Sequence, residues 1–361
     1  MKQKKKVLMA MSGGIDSTVA AMLLLEQGYE LEGVTFRTFD NISRACMEKE
    51  KGCCSVDSLF EAKRMAEEMG FAHRILDIRR EFRGTVVGNF IGEYLHGRTP
   101  NPCVLCNSDI KWGKLLDLAD ELGCDYLATG HYARIGRQVG RYYLRKGVDA
   151  AKDQTYFLWT LTQDNLARTL FPLGGLTKPE VRQIAFDHGY EKLSKKGESQ
   201  EICFIPDNDY RAFLRQEVEG YDEKYGPGDF VDTSGRKLGT HRGFPNYTIG
   251  QRKGLGIALG QPMFVVAIRP EDNTVVLGKK EELQGKTFYA KQINAMKYAP
   301  IPDGLEVTAK IRYRNEGGSA CLYPEGDRLR VVFHDTMDSI TPGQSAVFYE
   351  GDDVVGGGII L

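Results

Sequence analysis

Three groups of residues in this sequence have the types and spacing that chemistry requires. The first is Ser12-Gly13-Gly14-Ile15-Asp16-Ser17. Two adjacent glycines let the backbone come close to phosphate oxygens, and the hydroxyls of Ser12 and Ser17 add donors. A helix beginning here would aim its free N–H groups and partial positive charge at the same anion. Asp16 is a poor direct phosphate ligand, so a magnesium-binding or positioning role suits it better. The second group is Cys103 and Cys106 in Arg98-Thr99-Pro100-Asn101-Pro102-Cys103-Val104-Leu105-Cys106-Asn107, and the third is Cys203 in Glu198-Ser199-Gln200-Glu201-Ile202-Cys203-Phe204-Ile205. Both stretches mix polar residues around the thiol, which does not suit a simple buried cysteine. Cys106 is expected near the start of a helix over 107–122, where the dipole lowers a thiol pKa.

The glycine loop works only if a strand delivers it and a helix receives it. Residues 7–11 form a short apolar strand pattern. Residues 16–27 carry Val19, Ala20, Leu23 and Leu24 on one helical face, and Gly28 stops the run. Strands are expected at 31–36, 71–78 and 125–128. Helices are expected from Ser55 to residue 68, over 82–95 and over 107–122. This alternation predicts an α/β fold with a doubly wound parallel sheet. Helices are also expected at 158–170 and 178–188. Residues 205–280 read as a small mixed region. After 283, alternating segments at 307–313, 328–333 and 345–349 predict a C-terminal antiparallel β-barrel. The expected domains are 1–212, 213–282 and 283–361.

The bulk numbers narrow the function. The chain has 361 residues, 42% apolar and 27% charged, with net charge −1. That balance excludes a surface that is basic throughout but leaves room for local phosphate-binding patches. The lysine-rich start reads as a solvated tail. No apolar run reaches the ~18 residues of a membrane span, and no secretory signal is evident, so the expected location is cytoplasmic, with no membrane partner. In that compartment eight cysteines point to catalysis or metal rather than staples. Gly-x-x-x-x-Gly-Lys-Ser/Thr does not occur, so a Walker-type NTPase is excluded. Gly254-Leu255-Gly256 with Gly260 has the wrong spacing for a dinucleotide fingerprint.

Ser-Gly-Gly-x-Asp-Ser after a first strand resembles the signature of the ATP pyrophosphatases, which form an adenylated intermediate and release pyrophosphate. With both cysteine stretches, Ala128-Thr129-Gly130-His131-Tyr132, Lys152-Asp153-Gln154-Thr155-Tyr156-Phe157, Gly250-Gln251-Arg252-Lys253-Gly254-Leu255 and Thr341-Pro342-Gly343-Gln344-Ser345, the chain resembles the tRNA-specific 2-thiouridylase family almost end to end. The resemblance implies that ATP adenylates the 2-carbonyl oxygen of a wobble uridine. A persulfide on Cys203 then supplies sulfur. Cys106 acts as nucleophile, releasing sulfide through a disulfide with Cys203 or forming the adduct itself. It implies an ATP site of Ala10, Met11, Ser12, Gly13, Gly14, Ile15, Asp16, Ser17, Phe36 and Gly130, with Mg2+. It implies tRNA contacts at Asn101, Pro102 and Cys103 (the target-base loop), His131, Lys152, Asp153, Gln154, Arg312, Tyr313 and Gln344. A base undergoing chemistry must leave its stack, which fits a pocket under such a loop. The implied partners are tRNA and a sulfur donor, either a cysteine desulfurase or a sulfur-relay carrier. The domains become an ATP pyrophosphatase domain, a tRNA-binding linker and the barrel.

Two features depart from the family pattern. Many relatives carry Asp in place of Cys103, so Cys103-x-x-Cys106 with Cys203 makes a three-thiol set that also suits an iron–sulfur cluster. Cys53-Cys54 precedes the second expected helix, either as reactive thiols or as packed small residues. Cys46, Cys124 and Cys321 read as inert. On the residues alone His131 is equally a structural histidine, and Arg312 and Arg314 are equally solvated charges. Amidating or lysine-ligating ATP pyrophosphatases share the loop but need neither Cys106 nor Cys203. A non-catalytic RNA-binding or metal-sensing module would not need the intact loop.

Overall fold

The computed structural model describes residues 4–38, 56–195, 202–205, 208–258 and 260–361. Cys46, Cys53, Cys54, Ser55, Ser199, Gln200 and Glu201 fall outside the described residues. The chain forms two compact units, residues 1–86, 103–208 and 352–354 in one, and residues 87–102, 209–351 and 355–361 in the other.

The first unit is built on five parallel strands: β1 Lys6–Ala10, β2 Glu30–Arg37, β3 Ala72–Asp77, β4 Tyr126–Ala128 and, after a hairpin of β5 Ala133–Gln138 and β6 Arg141–Lys146, β7 Thr169–Leu170. Their order is β3-β2-β1-β4-β7, the doubly wound arrangement expected from the alternation. Val7 and Met9 join one core with Val19 and Ala20 of helix Ile15–Glu26, Ala62 and Met65 of helix Val56–Glu68, and Val181 and Ala185 of helix Lys178–Asp187. Helix Leu115–Glu121 packs against β1 and β4, with Leu115 and Ala119 fully buried. Strand order reverses between β1 and β4, and in such sheets ligands bind at that switch point, beyond the strands' carboxyl ends.

In this unit three readings change. The helix expected over 158–170 is only Gln163–Ala167, because Thr162 and Asn165 cap its start reciprocally at 2.9 and 3.2 Å. The Thr169 hydroxyl then takes the Asn165 carbonyl at 2.6 Å and accepts from Trp112 Nε1 at 2.8 Å, which turns the chain into β7. The β5–β6 hairpin was not foreseen. Its two-residue turn is Val139-Gly140, both left-handed at φ 47° and 78°, where Asn-Gly or Asp-Gly would have signalled it. Helix 107–122 begins earlier, at Pro102. It runs as Pro102–Leu105, a π-wound Cys106–Lys114, and Leu115–Glu121.

The second unit holds a mixed four-stranded sheet of β8 Gly228–Asp232, β9 Lys237–His241, β10 Phe264–Arg269 and β11 Thr274–Gly278, ordered β10-β11-β8-β9 with β11 and β8 parallel. Phe230, Phe244, Tyr247 and Leu277 fill its core. Next come β12 Gln284–Ala295, β13 Leu305–Lys310, β14 Gly318–Glu325, β15 Arg328–Asp338, β16 Ser345–Glu350 and β17 Asp353–Ile360, ordered β12-β15-β14-β13-β16-β17 and closed by β12 on β17. This is the expected antiparallel barrel. Closure removes the free edges, and Ala320, Leu322, Val331, Phe333 and Phe348 fill the interior. The strand expected over 307–313 ends at Lys310, so Arg312 and Tyr313 lie in the turn that follows β13.

Candidate active site

The glycine loop leaves β1 and enters helix Ile15–Glu26 at the switch point. Gly13 has φ +69°, and a Cβ there would collide with the Ser58 carbonyl oxygen, so only glycine fits. Ser17 closes the loop from within: its buried hydroxyl accepts from Ser12 N at 3.1 Å and donates to Gly14 O at 3.1 Å. Gly14 is the N-cap residue, and no side chain caps the helix. The first-turn N–H groups are therefore left for an anion. Gly130, just beyond β4, presses on this turn. A Cβ on it would lie 2.8 Å from Asp16 C and Ser17 N. Phe36 sits half-buried near the end of β2. The loops after β1 and β4 thus converge at one point.

Asp16 is held rather than open. Lys178 Nζ lies 2.7 Å from its Oδ1 and 2.9 Å from its Oδ2, and the Tyr132 hydroxyl donates to Oδ1 at 2.7 Å. Lys178 is only 5% exposed. Both carboxylate oxygens already face this cation, which suits the positioning role weighed for Asp16. Lys178 and Tyr132 were not singled out from the sequence as nucleotide-site residues. One signal was present: Lys178 opens its helix, where the dipole disfavours a cation. A lysine kept there needs a reason such as Asp16.

The early helix start moves the thiols. Cys103 occupies the second helical position and is exposed. Cys106 is half-buried one turn on, at the first residue of the π-wound stretch. Cys106 therefore lies about one turn inside the helix rather than at its start. Residues three apart share a helix face, and π-wound turns recur at functional sites. Cys203 is half-buried in the turn at 202–205. Its neighbour Phe204 packs edge-on against Phe82 at 5.8 Å, and Arg79–Phe82 packs on Cys106–Lys114. One packed element thus anchors the neighbourhoods of both Cys106 and Cys203.

The residues marked for tRNA divide by what their side chains already do. Asp153 is buried, and its carboxylate accepts from Gly147 N at 3.2 Å and Thr155 Oγ1 at 2.8 Å. Gln154 pairs twice with the Tyr132 backbone, at 3.0 and 3.1 Å. Half-buried His131 is fixed by Thr129 Oγ1 at 2.7 Å and packs on Trp112. Desolvation, helped by Lys111, holds its pKa well below the usual histidine value, so the ring is neutral at pH 7. Gln344 Nε2 lies 2.9 Å from both the Thr99 and the Pro100 carbonyl oxygens, and Thr99 N donates to Pro342 O at 3.0 Å. Gly343 (φ +89°) leaves space that a Cβ would deny, 3.0 Å from Arg98 Cβ, Glu93 Oε2 and Thr99 O. The turn at 341–344 is a clamp on the backbone that leads to Asn101 and Pro102. Arg312 Nη2 donates to Asp338 O at 3.1 Å while its buried Nε has no partner.

A parallel sheet of this order, with an uncapped glycine loop at its switch point, defines an ATP-using HUP-type nucleotide domain, here followed by a mixed sheet and a barrel. Residues 5–207 match the family described as tRNA methyl transferase HUP domain, 212–279 the tRNA methyl transferase PRC-barrel domain, and 285–360 the aminomethyltransferase beta-barrel domain. The chain is 52% identical over 359 residues to the tRNA-specific 2-thiouridylase MnmA of Amoebophilus asiaticus, covering 99% of this chain and 96% of that protein. It is 50% identical to the namesake from Cytophaga hutchinsonii (100% and 98% covered) and 49% identical to that from Salinibacter ruber (100% and 95%). The chain belongs to the tRNA-specific 2-thiouridylase family. Among the described residues no helix is long and apolar enough to cross a membrane.

Proposed function

We propose that this enzyme thiolates the wobble uridine of tRNA through an adenylated base, with Cys203 as sulfur carrier and Cys106 as nucleophile. The observation that carries the reading is an uncapped phosphate-binding helix start and two half-buried thiols in one compact unit. The uridine 2-oxygen attacks the α-phosphorus of ATP, the α–β phosphoanhydride bond breaks, and pyrophosphate leaves. A carbonyl oxygen is a poor leaving group, and adenylation makes it a good one. The Cys106 thiolate attacks the inner sulfur of a Cys203 persulfide, forming a Cys106–Cys203 disulfide and releasing the outer sulfur as sulfide. Sulfide adds to C2 and AMP departs with the original oxygen. In the second variant the Cys106 thiolate adds to C2 and AMP departs, the outer sulfur of the Cys203 persulfide displaces Cys106 from C2, and Cys106 then attacks the inner sulfur, leaving 2-thiouridine and the Cys106–Cys203 disulfide. A thiol reductant reduces that disulfide back to the two thiols, becoming a disulfide itself, and a cysteine desulfurase or sulfur-relay carrier reloads Cys203.

The nucleotide lies along residues 10–17, with Phe36 on the adenine and Gly130 under the phosphates. Lys178, held by Asp16, faces the negative charge that grows on the departing pyrophosphate. No step is assigned to magnesium at Asp16. Asn101, Pro102 and Cys103 form the loop over the flipped base. Lys152, His131, Arg312 and Tyr313 contact tRNA, while Asp153, Gln154 and Gln344 position the backbone around them. Residues 1–212 are the catalytic domain, 213–282 the tRNA-binding linker and 283–361 the barrel. Were an iron–sulfur cluster present, Cys103, Cys106 and Cys203 are the thiols that would hold it, and it would supply or activate sulfide.

The test incubates protein, ATP, sulfur donor and unmodified tRNA, then digests the tRNA and measures 2-thiouridine by mass. Cys106→Ala and Cys203→Ala should each abolish product, by at least about a thousandfold. Absence of the thionucleoside with wild type, aerobically and anaerobically, would falsify the reading. Anaerobically purified protein that is colourless, iron-free and fully active rejects the cluster.

A further inference from the structure

On the outer face of the barrel three different metal-ligating side chains converge, none of them used above. Glu306 on β13 is the direct cross-strand partner of Cys321 on β14. Cys321 is paired with Val332 on β15, which places His334, two residues on, diagonally across from it on the same face. The Cys321 sulfur lies 3.4 Å from His334 Nε2 and 3.9 Å from a Glu306 carboxylate oxygen, which is itself 3.7 Å from His334 Nε2. Among the described residues this is the only trio of His, Cys, Asp or Glu drawn so close.

The distances have a specific meaning. Zinc holds Cys sulfur, His nitrogen and carboxylate oxygen at about 2.3, 2.0–2.1 and 2.0–2.2 Å in a tetrahedron, which separates the donor atoms by about 3.4–3.6 Å. Each observed separation lies within half an ångström of that spacing. A small rotation of the two longer side chains, Glu306 and His334, closes the remainder. The backbone beneath is rigid: Val307, Ala320, Leu322, Val331 and Phe333 point inward from the same three strands and are buried.

We propose that Glu306, Cys321 and His334 form a binding site for Zn2+, a borderline-soft cation matched to one sulfur, one nitrogen and one oxygen donor. Three protein ligands leave the fourth position to water or to a donor from another molecule. The Cys321 thiol gives up its proton on binding, so affinity should rise with pH.

The full-length protein would be titrated with Zn2+ against a chromophoric chelator, alongside Cys321→Ser, His334→Ala and Glu306→Gln. Wild type should bind one equivalent that Cys321→Ser and His334→Ala bind about a hundredfold more weakly, the upper end of what even an outer-shell change costs a metal site. Co2+ should give a sulfur-to-metal charge-transfer band that Cys321→Ser reduces by one thiolate, a readout separate from the thiols of the other unit. Thiolation of tRNA should be unchanged in all three variants, which doubles as the folding control. If Cys321→Ser fails that control, Glu306→Gln decides, since it only neutralises an exposed carboxylate. Identical Zn2+ binding and identical Co2+ spectra across wild type and the folded variants would overturn the proposal.

Discussion

The loop that faces the nucleotide and the loop that leads to Asn101 both depend on a glycine with positive φ, yet they are held in opposite ways. The nucleotide loop closes on itself. Ser17 reaches back five residues to Ser12 N and three to Gly14 O. The backbone at 99–100 is held by Gln344 and Pro342, from a turn more than two hundred residues away in the chain. The first arrangement is local and forms as soon as strand and helix form. The second exists only once the second unit is folded. In the proposed reaction these would be two degrees of coupling: the nucleotide loop is preformed by its own residues, whereas the backbone ahead of Asn101 depends on the fold of the unit that holds the barrel.

The sharpest way to break that contrast is to disturb each loop's support and read the two half-reactions separately. Lys178→Met should have the largest effect. It leaves the Asp16 carboxylate with the Tyr132 hydroxyl alone and removes the buried cation that the proposed mechanism sets against the phosphates. ATP–pyrophosphate exchange in the presence of tRNA should fall about 10²- to 10³-fold, as when a single donor to developing charge is lost, and Lys178→Arg should recover part of it. Asp16→Asn, Lys178→Met and the double variant form a cycle. Losses that simply add would mean that the pair does not act as a unit.

Gln344→Ala should be milder. It removes two hydrogen bonds to backbone carbonyls, each worth about 0.5–1.5 kcal/mol, so kcat/KM for tRNA should drop roughly tenfold or somewhat more while the KM for ATP stays fixed. Gln344→Glu removes the amide donor but keeps the size, and should resemble Ala. If either variant weakens ATP as much as tRNA, the two loops are not separately supported.

How much of this was legible follows the same division. Ser12 to Ser17 could be read because strand, glycines and helix are contiguous, and the parallel, doubly wound sheet followed from alternation alone, though not its strand order. The barrel was visible as alternating segments. The grip of Lys178 on Asp16 was not, because it joins positions brought together only by the sheet and its helices. Gln344 was marked through family resemblance, but nothing in the Thr-Pro-Gly-Gln turn showed that its amide would hold a backbone rather than reach for RNA. The β5–β6 hairpin was missed because Val139 takes the left-handed position where Asn or Asp would have signalled a turn. The cluster of Glu306, Cys321 and His334 is a matter of cross-strand register, which no linear spacing encodes, and so Cys321 read as inert.

The smallest expected effect concerns His131, beside the nucleotide loop. Burial holds it, and likewise His73 and His241, below the ordinary histidine value of 6.5. The unfolded chain therefore binds protons that the folded ring refuses. The stability tied to each neutral ring is fully present above pH 6.5 and is lost as pH falls from there toward the folded pKa. For His131, the most strongly lowered of the three, the loss between pH 6.5 and 5.5 should be about 1 kcal/mol. Thermal unfolding of wild type across that range should show a falling Tm. His131→Gln, which keeps a neutral hydrogen-bonding side chain beside Thr129, should flatten the fall, while Gln344→Ala should leave its slope unchanged. An equally steep slope in His131→Gln would mean that His131 is protonated in the folded protein, and its place beside Trp112 would then have to accommodate a cation.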